Sequence, residues 1–92
     1  MKFLAVCGFG VGSSMVLKMT LERVARELGI EADVENTDLS SAKGTACDAI
    51  FTSHELLGEL ESSVNCPIYP IKKYMDTNEV KGALQSFLET KA

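Results

Sequence analysis

The chain opens with a short unbroken apolar run, Phe3-Leu4-Ala5-Val6. An apolar run of this length without polar interruption reads as a strand buried on both faces, placed here at residues 2–6 as β1. A helical period follows from about Ser13 to Leu28, giving α1. Leu17, Leu21, Val24 and Leu28 recur at i, i+4, i+7 and i+11 and form one core-facing stripe. Lys18, Glu22, Arg26 and Glu27 lie away from it. Met15 and Met19 are expected to widen the apolar face as core filler. Gly29 stands where a C-terminal cap belongs. Glu31 to Asn36 then alternates polar and apolar residues, the pattern of a half-exposed edge strand, β2.

Thr37 to Thr45 is polar and small, with room for one helical turn, α2, around Leu39 to Lys43. Asp48 to Phe51 is a second short central strand, β3, and Cys47 beside it reads as a packed small hydrophobe. Thr52 and Glu55 fit a capping box that opens a helix, α3, running to about Glu61. Ser62 to Cys66 is a turn. Pro67-Ile68-Tyr69-Pro70-Ile71 reads as a last strand, β4, which its two prolines confine to an edge. Asp76 or Thr77 starts the final helix, α4, with Val80, Ala83, Leu84, Phe87 and Leu88 as its inner stripe.

Strands and helices alternate throughout, so the class is α/β, a three-layer arrangement around a four-stranded parallel sheet. Right-handed crossovers limit the topology. The unbroken apolar strands β1 and β3 belong in the middle. The charged β2 and the proline-bearing β4 belong at the edges. The predicted order is 2-1-3-4, a flavodoxin-like winding shared with low-molecular-weight phosphatases. Its switch point lies between β1 and β3, where ligands bind beyond the carboxyl ends of the strands. The loops after β1 and β3 therefore converge.

Composition narrows the function. The 92 residues suffice for one domain, 1–92, and 46% hydrophobic content suffices for its core. A net charge of -4 without a basic stripe argues against nucleic acid. No stretch approaches the ~20 apolar residues of a membrane span, so no membrane insertion is expected. The apolar start superficially resembles a signal peptide, but it ends at a glycine after a few residues without a cleavage pattern. Cys7, Cys47 and Cys66 are an odd number without a C-x-x-C spacing. They imply no metal site and no cofactor, and a free thiol fits a reducing cytoplasm.

The candidate chemistry sits in the loop after β1, Cys7-Gly8-Phe9-Gly10-Val11-Gly12-Ser13-Ser14. A thiol at a strand's carboxyl end is followed by three glycines, two hydroxyls and a helix N-terminus. Gly8, Gly10 and Gly12 let successive backbone N–H groups turn toward one point. The first N–H groups of a helix lack intrahelical partners and carry the positive end of its dipole, which suits phosphate. The same field favours a thiolate, below the ~8.5 of a free thiol. Ser13 or Ser14 caps the helix or donates to a phosphate oxygen. The dinucleotide fingerprint fails, because position 13 is Ser. The ATP loop fails, because no Lys precedes the serines. A buried cysteine closing a strand before a tight turn is the structural alternative.

The loop after β3 supplies Thr52, Ser53 and His54 as second contributors. Capping alone would account for Thr52 and Ser53, and His54, the sole histidine, is either an exposed first-turn residue or a phosphate neighbour. Lys72, Lys73 and Tyr74 follow β4 at the same edge, as a solvated basic patch or a docking contact.

The segment Cys7-Gly8-x-Gly10-x-Gly12-Ser13-Ser14-Met15, after a strand at the N-terminus, resembles the IIB component of a bacterial sugar phosphotransferase system (PTS). Lys18-Met19 in the first helix is similar to the ascorbate-type branch. The resemblance implies that Cys7 is the phosphorylated nucleophile and that residues 8–14 form the phosphate loop. It implies a phosphohistidine of a IIA component as donor, and a substrate held by a membrane IIC component as acceptor, with ascorbate as that substrate. It implies a cytoplasmic chain, associated peripherally with the membrane through IIC. A carrier alternating between two partners is expected to be monomeric. Another functional class is a small cysteine phosphatase with the motif C-x5-R-[S/T], but Ser13 occupies the position of its arginine, the transition-state clamp. A third reading is a domain binding FMN or a phosphorylated ligand, with Cys7 incidental.

Overall fold

The computed structural model describes residues 1–6, 11–64 and 66–91, and for 11–14 and 91 it describes the backbone alone. The elements alternate as expected: β1 Lys2–Val6, α1 Val11–Glu27, β2 Asp33–Thr37, α2 Leu39–Lys43, β3 Ala49–Thr52, α3 His54–Glu61, β4 Ile68–Pro70 and α4 Thr77–Lys91. The sheet has the order β2-β1-β3-β4 with every pairing parallel. Both predicted edges are edges, and both central strands are buried.

Alternation along β1 divides the core in two, because successive side chains of a strand point to opposite faces. Phe3 and Ala5 join Leu17, Leu21 and Val24 of α1 and Val80, Leu84 and Phe87 of α4. Leu4 and Val6 join Ala42 of α2 and Leu60 of α3. The larger side is built on aromatic edges. Phe3 meets Phe51 at 5.6 Å and Phe87 at 5.3 Å, both nearly perpendicular, a geometry that aromatic quadrupoles favour.

Element boundaries differ from expectation where a polar group found a tertiary partner. The first strand residue of β3 is Ala49, since the carboxylate of Asp48 turns back to accept from the Lys2 N–H at 2.7 Å. β2 begins at Asp33, later than Glu31. The residues before it complete the exit from α1: Ile30 N–H donates to the Ala25 carbonyl at 2.9 Å and Gly29 N–H to Arg26 at 3.2 Å. Gly29 has φ +71°, and these two bonds make the expected glycine cap a Schellman motif.

The expected role of Met15 and Met19 is corrected. They are 41% and 61% exposed. At about 100° per residue they fall roughly opposite the centre of the buried stripe, outside the core formed by the described residues. Thr20 is buried instead. Its hydroxyl donates to the Tyr74 carbonyl at 2.6 Å, with the Val16 carbonyl 3.0 Å away. That contact ties α1 to the segment after β4.

Candidate functional site

Two strand ends and two helix starts meet at the carboxyl edge of the sheet. Val6 ends β1 and Thr52 ends β3, and the two are register partners. The Thr52 hydroxyl, fully buried, donates to the Val6 carbonyl at 2.9 Å. This corrects the capping-box expectation. Thr52 is the last strand residue, Ser53 holds the N-cap position of α3 with φ -80° and ψ 158°, and the helix begins at His54. Glu55 thus lies one position too early to reach back as a capping box requires.

Ser53 has the conformation of a cap without its bond. Its side chain makes no capping hydrogen bond, and its Oγ is buried with no partner among the described residues. The residue is only 9% exposed. A buried hydroxyl without a partner forgoes the solvation that such groups normally recover through a hydrogen bond, so its presence needs a reason. The residue before Ser53, Thr52, is the register partner of Val6.

The start of α1 supplies the complementary half. The helix begins at Val11, two residues before the expected Ser13. Ser13 and Ser14 therefore lie inside the first turn, not at the cap. The backbone N–H groups of Val11, Gly12 and Ser13 belong to the set that an α-helix leaves unpaired. No acidic residue occupies this first turn, whereas α3 carries Glu55 and α4 carries Glu79 in theirs. The positive end of α1 is thus not neutralised by its own side chains.

Cys7, Gly8, Phe9 and Gly10 lie outside the described residues, as do the side chains expected of Val11, Ser13 and Ser14. His54 is exposed as the first residue of α3. Lys72 and Lys73 are exposed, and the Glu79 carboxylate accepts from their backbone N–H groups at 2.8 and 2.9 Å. Tyr74 differs from the expected surface role: it is half-buried against the larger core, and its carbonyl receives the Thr20 hydroxyl.

Residues 2–86 match the PTS lactose/cellobiose-specific IIB subunit family. The chain belongs to this family of PTS IIB subunits. An ascorbate-specific PTS EIIB component from Mycoplasma pneumoniae is 36% identical over 87 residues, 92% of each chain. Two solved structures share the fold. The lactose-specific IIB domain from Streptococcus pneumoniae has a TM-score of 0.68 at 18% identity, covering 97% of this chain and 95% of that one. The PTS Enzyme IIB subunit from Escherichia coli K12 has a TM-score of 0.55 at 22% identity, covering 98% and 91%.

PTS IIB components are phosphotransferases, and they work with IIA and IIC components. Among the described residues of this IIB chain, no helix is long and apolar enough to cross a membrane. Two features of its carboxyl edge were missed by sequence reasoning. The Val6 carbonyl as the partner of Thr52 is invisible without the β1–β3 register. The buried Ser53 hydroxyl, without a partner among the described residues, had only a weak signal, a cap-type residue directly after an apolar strand.

Proposed function

We propose that this chain is a phosphoryl carrier in which Cys7 is the phosphorylated residue, Gly8 to Ser14 form the phosphate loop, and Thr52 and Ser53 shape its second wall. The reading also assigns the whole of residues 1–92 to one IIB domain. The Cys7 thiolate attacks the phosphorus of a IIA phosphohistidine in line, forming the S–P bond as the N–P bond breaks. A substrate hydroxyl held by IIC then attacks the same phosphorus and releases the thiolate. The three equatorial oxygens need fixed donors through both steps, since charge spread over them is what the site must stabilise.

The observation that carries the reading is the presence at one edge of a helix N-terminus with no acidic residue in its first turn and a buried hydroxyl with no partner among the described residues. The helix follows β1 in the chain and the hydroxyl follows β3, its sheet neighbour. A phosphoryl group accepts hydrogen bonds from each of them. His54, exposed at the start of α3, would lie at the rim.

L-Ascorbate is the proposed substrate. Support comes from the 36% identical relative, whose name specifies ascorbate, together with Lys18-Met19 in α1. The chain would act in the cytoplasm as a monomer, meeting the membrane through IIC.

The test is intact mass after incubation with phosphoenolpyruvate and the general and ascorbate-type IIA components. One added phosphoryl group is expected, blocked by alkylation of Cys7 and absent from Cys7→Ser. An unmodified mass with an active donor, or a phosphoryl group that survives Cys7→Ser, would overturn the reading. Transfer onward to ascorbate, against lactose and cellobiose as alternatives, with the matching IIC in membranes tests the substrate.

A further inference from the structure

At the amino edge of the sheet, opposite the candidate phosphoryl site, Cys47 precedes β3 and Cys66 precedes β4. The two strands are register neighbours, with Ile50 opposite Ile68 and the Ile50 N–H donating to the Pro67 carbonyl at 3.0 Å. This pairing brings together two thiols that lie 19 positions apart in sequence, with their sulfur atoms 3.4 Å from each other. Both are free and half-buried. We propose that Cys47 and Cys66 form a dithiol that a low-molecular-weight disulfide oxidises to an intrachain bond, leaving Cys7 as the one remaining thiol.

The geometry favours closure. Reaching the ~2.05 Å of a disulfide takes less than an ångström of movement from each sulfur. The backbone on both sides is already held by the sheet. The pair also opens into a pocket of about 350 Å³, lined in part by Lys43, Cys47, Ser63, Val64 and Cys66. Lys43 is exposed there, so its charge suits an anionic oxidant such as oxidised glutathione.

The chemistry assigns different roles to the two thiols. Burial, with the contact to Cys66 acting in the same direction, pushes the Cys47 thiol up to about 12, so Cys47 keeps its proton beside the Cys66 sulfur. Cys66, which lines the same pocket, is the attacking sulfur and gives up its proton as it attacks. It displaces one glutathione thiolate from oxidised glutathione and forms a mixed disulfide. The Cys47 sulfur then attacks the Cys66 sulfur and gives up its proton, and the second glutathione leaves. Two protein thiols are oxidised as one glutathione disulfide becomes two glutathiones. Excess glutathione reverses the sequence.

The bond would close a covalent loop around β3, the Thr52-Ser53 connection and α3. It would brace the second wall of the phosphoryl site from behind, whether or not Cys7 carries phosphate. It would also remove the two thiols that compete with Cys7 for oxidants and alkylating agents.

The test uses the full chain with oxidised glutathione, followed by unfolding, alkylation and intact mass. The expected product has lost two hydrogens and carries a single alkyl group, mapped to Cys7, and dithiothreitol restores three alkylatable thiols. Cys7→Ser should still lose two hydrogens, and neither Cys47→Ser nor Cys66→Ser should. The oxidised chain should melt at a higher temperature than the reduced one. Three alkylated cysteines after oxidation, a persistent glutathione adduct on Cys66, a bond that includes Cys7, or a lowered melting temperature would each overturn the proposal.

Discussion

The hydroxyl of Thr52 donates to the carbonyl of Val6 at 2.9 Å, joining the final residues of the two central strands. This bond fixes the two strand ends against each other. Thr52 is fully buried, so water cannot replace the donor. Thr52→Val keeps the shape and removes the bond. It should destabilise the chain by about 1–3 kcal/mol, the cost of a buried acceptor losing a partner. Thr52→Ser should recover most of that loss. Urea unfolding of the three proteins measures it, with an unchanged m-value as the sign that the fold is intact.

Ser53 should behave in the opposite way. Its buried hydroxyl has no partner to lose among the described residues. Ser53→Ala is expected to leave stability within about 1 kcal/mol of the parent, or to raise it. Phosphoryl transfer from IIA should nevertheless slow by about tenfold, equivalent to about 1.4 kcal/mol of barrier. Single-turnover transfer beside a denaturation curve separates the two effects. An unchanged rate would reduce Ser53 to an architectural residue.

Gly29 offers a test of backbone conformation alone. Its φ is +71°, and a Cβ built there meets nothing within 4 Å. The cost of Gly29→Ala is therefore conformational and not steric crowding. About 1 kcal/mol of stability should be lost, and Gly29→Asn should lose less, because asparagine tolerates the left-handed region better. Thermal melts of the three proteins give the order.

The Cys47 thiol predicts an alkaline limit. Burial raises it from 9.0 to about 12, with the Cys66 contact and the Asp48 charge acting in the same direction and Lys2 opposing. The folded state thus holds this proton more tightly than the unfolded state. Its contribution to stability is fully present below about 9.0 and is lost as the pH rises through about 12. Stability of the reduced chain should decline across that window. Cys47→Ala should show a shallower decline in chemical denaturation at stepped pH.

Much of this protein was legible in its amino-acid order. The apolar runs Phe3–Val6 and Ile50–Phe51 could be satisfied only at the centre of a parallel sheet, and the charges of β2 and the prolines of β4 could be tolerated only at its edges. Strand order followed from that, while the family resemblance rested on the residues Cys7 to Met15 themselves. Periodicity located the faces of α1 and α4 because burial of a stripe is a local consequence of helical geometry. It did not fix how wide the buried stripe is, which depends on what packs against it, and so Met15 and Met19 were placed wrongly.

What the tertiary structure alone decided are relationships between residues far apart in the chain. Thr52 is a strand residue bonded to Val6 and not a helix cap, because a hydroxyl bonds to the acceptor the sheet register presents. Ser53 is left buried with no partner among the described residues. Cys47 and Cys66 have no spacing that suggests a pair, yet adjacent strand starts bring their sulfurs together. Local sequence encodes period, propensity and charge, which act over a few residues. Hydrogen-bond partners and thiol proximity depend on register between strands, which the whole core determines at once.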